Sequence, residues 1–131
     1  MSKENVEIVR LIHEGWAKGD FGIGKEFLTS DYEWHQFPQA VEPGTRRGSE
    51  VGESLRKIFE IYTDVRVEPA EFIDAGDRIV VVGRTLAKAR GSGLALDTPI
   101  ALVWTLLDGK ISRTEAFSER DQALRASGLS E

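Results

Sequence analysis

The stretch from Thr98 to Phe117, TPIALVWTLLDGKISRTEAF, constrains the fold more than any other part of this chain. Two runs rich in β-branched and aromatic residues flank Asp108-Gly109, a dipeptide suited to the left-handed backbone of a tight hairpin. The apolar side chains of such a hairpin need a partner layer, and amphipathic segments in the first half of the chain can supply it. The turn leaves the register open. A two-residue loop at Asp108-Gly109 places Leu107 opposite Lys110 and Trp104 opposite Arg113, so that Arg113 and Glu115 share a face with Ile100, Leu102 and Trp104. A three-residue loop shifts the pairing by one and turns Arg113 and Glu115 toward the side of Ala101 and Val103.

Upstream, Val6, Val9, Ile12, His13 and Trp16 recur at helical spacing and stop at Gly19, with Ser2 a loose N-cap signal. Asp20 is suited to cap a second, shorter helix carrying Phe21, Ile23, Phe27 and Leu28, weakened by Gly22 and Gly24. Thr29 to Pro38 changes to a strand pattern in which Tyr32, Trp34 and Gln36 share one face and Glu33, His35 and Phe37 the other. Residues 39–50, with Pro43, Gly44 and Gly48, read as a loop near the upper length for a compact domain. A third helix starts at Ser49 or Ser54, with Val51, Leu55, Ile58, Phe59 and Tyr62 as its apolar stripe. Strands follow over Val65 to Ile73, where Pro69 marks an edge or bulge, and over Arg78 to Ala89, whose run Ile79-Val80-Val81-Val82 points to burial on both faces. After the hairpin, Ser118 is placed to cap a terminal helix from Glu119 to Ala126, with Gly128 as its stop.

Helices clustered early and strands late define an α+β fold with a curved sheet wrapping the helices. With 131 residues and 40% apolar content, the chain supports one domain over residues 1–131. Its 17 basic and 22 acidic residues give a formal charge of -5 with no basic stripe, which argues against nucleic acid as the partner. Cysteine is absent, which excludes disulfides and thiolate chemistry. No segment is apolar enough for a membrane span and no signal-peptide pattern opens the chain, so the cytoplasm is the expected compartment.

This order of elements, with GWAKGD closing helix one, an aromatic-rich strand after helix two and DGKI at the last hairpin, resembles the nuclear-transport-factor-2-like superfamily. Within it the chain is most similar to the SnoaL-like branch, which includes polyketide cyclases, and more distantly to ketosteroid isomerases. The resemblance runs from Asn5 to Leu129. It implies a cone-shaped fold with a curved, mainly antiparallel sheet around the N-terminal helices. It also implies a small-molecule pocket, and a homodimer that covers the outer sheet face. The fold hosts both catalysts and binding modules, so function has to come from the site. The carboxylate base of the isomerases falls on Gln36, their oxyanion-side aspartate on Ala101 and their helix-one tyrosine on Ile12. None of the three can do that chemistry.

Among the residues themselves, His35 is the leading candidate for a catalytic base, because Glu33 stands two residues away on the same strand face and can orient it. His13 fits the edge of the helix-one stripe. Under the shifted register Arg113 and Glu115 become a pocket pair, on the face that the resemblance assigns to the cavity, with Arg84 in the preceding strand as a further cation. Trp16, Trp34, Phe59 and Tyr62, together with Ala101 and Val103, are the expected pocket lining. No cofactor is expected, since Gly91-Ser92-Gly93 lacks the strand-to-helix setting of a dinucleotide loop. The two histidines and scattered carboxylates form no metal spacing.

Three readings follow. The first is a cofactor-independent acid-base enzyme, of cyclase, isomerase or hydratase type, acting on a small apolar molecule through His35, Glu115 and Arg113. The second is a non-catalytic ligand-binding or dimeric scaffold protein, and the third a protein-interaction module with an exposed hydrophobic patch.

Overall fold

A computed structural model describes residues 2–38, 40 and 43–129. Helix α1 spans Ser2–Ala17. The N-cap expectation at Ser2 lies outside the described side chains. Val9, Ile12 and His13 are the buried members of its stripe, and Val6 and Trp16 pack beside them half-buried.

The expected second helix does not form. Residues 21–24 make turns, and only a 3-10 turn, Lys25–Phe27, follows. Asp20 closes the turns at residues 21–24 rather than capping a helix, its Oδ1 accepting the Gly22 N–H at 3.0 Å. Gly24 has φ 91°, a left-handed conformation that a helix interior does not allow. Leu28 then begins β1, Leu28–Gln36.

The loop expected over residues 39–50 holds a short strand, β2, Gly44–Arg47, which pairs antiparallel with β1 and places His35 opposite Thr45. Residues 39, 41 and 42 of that loop lie outside the description. Of the two starts open for the next helix, Ser49 is the observed one: α2 spans Ser49–Ile61 after Gly48. Its apolar stripe is only half-buried, and Ser54 is its one buried residue.

Strands β3 (Tyr62–Asp74), β4 (Arg78–Ala89), β5 (Ala95–Leu107) and β6 (Lys110–Phe117) follow, then α3 (Arg120–Ala126). The described residues form a six-stranded sheet in the order β2-β1-β6-β5-β4-β3, antiparallel except where β1 runs parallel to β6. Pro69 sits in edge strand β3 at a register shift between Pro69 and Glu71, where the missing N–H is tolerated. Opposite it, a side chain on Gly83 would run into the backbone carbonyl of Glu68. Because backbone cannot rotate away as a side chain can, Gly83→Ala is expected to cost about 2–3 kcal/mol, read as a lower urea midpoint at unchanged m-value.

The hairpin combines both sequence alternatives. Asp108 and Gly109 have φ of 52° and 75°, and Leu107 pairs with Lys110, which is the two-residue loop. Between Leu106–Ile111 and Thr105–Arg113 the register slips, leaving Ser112 as a bulge, so Trp104 faces Thr114 and Val103 faces Glu115. A bulge therefore gives Arg113 and Glu115 the facing that a longer loop would have given.

The sheet carries a hydrophobic cluster on each face. Under α1 lie Val9, Ile12, Tyr32, Ile79, Val81, Leu102, Trp104, Leu106, Ile111 and Ala116. On the opposite face Val80, Ala101 and Val103 pack with Ala123 of α3 and with Phe117. The run Ile79-Val80-Val81 is thus buried on alternate faces, with Val82 half-buried on the side of Val80, as four successive apolar residues require. Part of the outer face is covered within the chain by α3. Its neighbouring part carries Glu33, His35, Arg113 and Glu115, so the apolar area behind the expected homodimer is reduced.

Candidate functional site

The strand pairing brings three sequence candidates together. His35 is the direct neighbour of Glu115 across the parallel β1–β6 pair, and Glu33 is the neighbour of Arg113. In parallel pairing opposed residues share a face, so all four point to the side of Ala101 and Val103. His35 and Glu115 line a groove of about 380 Å³ with Gln36, Phe37, Phe117 and Gln122.

His35 is tightly oriented. Its Nε2 lies 2.8 Å from Glu33 Oε1 and its Nδ1 3.1 Å from Thr45 Oγ1. A carboxylate only accepts, so in the neutral ring Nε2–H donates to Glu33 and Nδ1 accepts the Thr45 hydroxyl. Glu33 also accepts from Arg47 Nε at 2.7 Å. Hydrogen bonds from His35 and then from Arg47 hold its carboxyl below the usual carboxylate range. Arg113 donates to Glu115 at 3.3 Å, a half-exposed pair that contributes little to stability.

The other expected lining residues are dispersed. Ala101 and Val103 are fully buried beneath α3 and offer no surface to a ligand. Arg84 is exposed and paired with Asp97 at 2.5 Å. Gln36 and Ile12 occupy their expected strand and helix, Ile12 buried in the core. Trp16 and Trp34 lie on the α1 side with ring centroids 6.0 Å apart, and Trp16 continues to Trp104 at 5.4 Å. From Trp16 the aromatic series runs to Phe21 at 5.3 Å and on to Phe59 of α2 at 5.8 Å. Tyr62 is the half-buried first residue of β3.

At the floor of this series, His13 is fully buried and accepts the Trp104 indole N–H at Nε2, 3.1 Å away. Its Nδ1 has no hydrogen-bond partner among the described residues. Burial pushes its pKa down to about 3, so the ring is neutral in the folded protein. Tyr32 is also deeply buried, donating to Thr114 Oγ1 at 2.6 Å, and burial raises its phenol well above the usual range.

Phe59 leads to the larger cleft, about 780 Å³, at the ends of β3, β4 and β5 beside the residues that follow α1. Its apolar wall is Phe59, Val65, Leu86, Ala87 and Leu96. A register shift between Thr63 and Arg66 and the left-handed Asp64, φ 55°, kink β3 at this point. Sequence reading missed the cleft because the kink leaves no marker in residue type, and it missed Thr45 and Arg47 because β2 is hidden in a Gly-Pro-rich segment. The signal that was available is the Pro43-Gly44 dipeptide, eight and nine residues after His35, which can precede a strand returning along β1. Among the described residues no three His, Asp or Glu side chains are grouped to hold a metal ion. No helix among them is long and apolar enough to cross a membrane.

A curved mixed sheet with α1 on one face and aromatics between them defines a nuclear-transport-factor-2-like fold. Solved structures agree. An NTF2-like protein of unknown function from Burkholderia pseudomallei K96243 is 25% identical, covers 93% of this chain and 95% of its own, and superposes with a TM-score of 0.78. TerC, crystallised with polyporic acid, is 24% identical over 95% of this chain and 98% of its own, TM-score 0.76. A Catenulispora acidiphila DSM 44928 protein with a ketosteroid isomerase-like fold, solved with trimethylamine, is 18% identical over 94% and 93% of the two chains, TM-score 0.69. Within this class, the SnoaL-like domain pattern matches residues 8–114, and the chain belongs to the SnoaL-like family. Among curated proteins none matches it in sequence.

Proposed function

We propose that this SnoaL-like protein binds a small molecule with an apolar body in the larger cleft. The observation that carries this reading is the cleft itself, whose volume of about 780 Å³ falls in the range of small-molecule sites and whose wall is Phe59, Val65, Leu86, Ala87 and Leu96. The half-buried stripe of α2 supports it, since an amphipathic helix that leaves Val51, Leu55, Ile58 and Phe59 partly exposed has room for another apolar surface. That TerC was crystallised with polyporic acid and the Catenulispora protein with trimethylamine is in keeping with a fold that holds small organic molecules. The test is titration with the neutral dye N-phenylnaphthylamine, followed by fluorescence. Saturable binding is expected, weakened about tenfold by Leu96→Gln, which removes roughly 1.4 kcal/mol of apolar contact. An affinity unchanged by Leu96→Gln refutes the reading.

A second reading, acid-base catalysis, rests on the orientation of His35. With Nε2–H committed to Glu33, the Nδ1 lone pair that meets Thr45 is the basic position, and Glu115 shares the groove as a second carboxyl group. Such a base is expected to exchange the α-hydrogens of small enolisable ketones for solvent deuterium, with His35→Gln reducing the rate at least about a hundredfold. Equal exchange by wild type and variant, measured by NMR, rules it out.

A further inference from the structure

The chemistry lining the larger cleft identifies the ligand more narrowly, and this inference rests on the cleft being the binding site. Alongside its apolar wall stand four cations, Lys18, Arg66, Lys88 and Arg90, against two carboxylates, Asp64 and Asp97. This local excess of positive charge occurs in a chain whose net charge is -5. Both carboxylates are already matched. Asp97 pairs with Arg84, which is outside the lining, and Asp64 lies 3.9 Å from Lys88. Arg66 pairs with Glu68, also outside the lining, at 3.4 Å.

Lys18 and Arg90 remain, with no carboxylate partner among the described residues. Arg90 is held in place from two directions. Its Nε donates to the Phe59 carbonyl at 2.7 Å, and its backbone N–H donates to Ile61 O at 2.9 Å, both in the last turn of α2. A guanidinium held this way keeps its remaining donors for another acceptor and loses little side-chain entropy when it finds one. Lys18 directly follows α1 and adds a second cation with a longer reach.

We infer that the cleft takes an amphiphilic organic anion, its apolar body against Phe59, Val65, Leu86 and Leu96 and its carboxylate, sulfonate or phosphate group between Arg90 and Lys18. Two charge-assisted contacts at a partly open site are expected to be worth about tenfold in affinity over a neutral molecule of the same shape, and to weaken with added salt.

The test compares two dyes with the same aromatic body, anilinonaphthalene sulfonate and the neutral N-phenylnaphthylamine, titrated into the full chain. The sulfonate is expected to bind about tenfold tighter, and Lys18→Gln and Arg90→Gln are each expected to remove most of that advantage while leaving the neutral dye unchanged. Lys57→Gln, an exposed α2 position outside the cleft, is expected to change neither dye. Should Arg90→Gln lower thermal stability by releasing Phe59, Lys18→Gln decides alone. If the neutral dye binds with Leu96 sensitivity and the sulfonate binds no tighter, the anion inference falls and the binding site stands. If the sulfonate advantage survives both cation variants, the dye is bound elsewhere and the inference falls as well. If neither dye responds to Leu96→Gln, the binding site falls, and this inference with it.

Discussion

Acidification from about pH 6.5 to about pH 4 is expected to remove roughly 3 kcal/mol of folding stability through His13 alone. The ring is fully buried, its pKa is lowered from 6.5 to about 3, and its Nε2 lone pair is occupied by the Trp104 indole N–H. A proton therefore binds the unfolded chain at the ordinary histidine value and the folded chain only in strong acid. The stabilisation is complete above 6.5, and falls steadily as pH drops toward about 3, where the total loss approaches roughly 5 kcal/mol. Around the ring are Trp16, Phe72 and Trp104, with the Arg10 guanidinium over the Phe72 ring, and no carboxylate among the described residues pairs with the imidazole to offset its protonation. Glu33 and Glu71, whose carboxyls are held low by His35 and Arg47 and by Arg120, add acid sensitivity of the same sign, but below 4.5. The interval between is the one to measure, by urea unfolding at a series of pH values. His13→Gln keeps an acceptor for the indole and carries no titrating proton, so its stability is expected to stay nearly flat there. A wild-type profile as flat as the variant's would show that the imidazole titrates freely in the fold.

Trp104→Ala is the substitution expected to damage the protein most. Trp104 is the largest fully buried side chain, 1% exposed, and it joins β5 to α1 through ring contacts to His13 and Trp16. Truncation empties the middle of the core and strips His13 of the hydrogen bond it has, a loss of about 3–5 kcal/mol, a large part of the stability of most domains this size. Trp104→Phe keeps most of the volume and removes only the N–H, for which about 1–2 kcal/mol is expected. The two sites are coupled. A cavity beside His13 admits water and lets the ring protonate, so in Trp104→Ala the pH slope between 6.5 and 4.5 is expected to shrink, and combined with His13→Gln the losses should be less than additive. Denaturant unfolding of the four proteins in the cycle measures this directly. Strict additivity would mean that the indole and imidazole act independently despite their 3.1 Å contact.

Much of the fold was legible because its signals are local. Asp108-Gly109 sets two positive φ values whatever surrounds it, Pro69 keeps β3 at the sheet edge, and the stripe Val9, Ile12, His13 fixes which side of α1 is buried. The second helix failed on largely local grounds, since Gly22 and Gly24 favour turns, and Gly24 packs against Ile12 in a left-handed conformation that a helix interior does not allow. The pairing of His35 with Glu33 was visible as a period of two. Its contact with Thr45 was not, because that depends on β2 folding back across a gap of ten residues.

What the sequence determined by itself is the set of elements and the faces they offer: one amphipathic α1, a doubly apolar β4, a tight hairpin, and His35 beside Glu33 on one side of β1. What only the tertiary structure decided is how those faces meet. A single bulge at Ser112 turned Arg113 and Glu115 toward His35. Packing of α3 sealed Ala101 and Val103, and the kink at Asp64 opened a cleft lined with cations that lie far apart in the chain. The physical reason is that side-chain direction in a sheet has a period of two, so one inserted residue reverses it. Charge around a cleft, likewise, is a sum over strands that no local stretch contains.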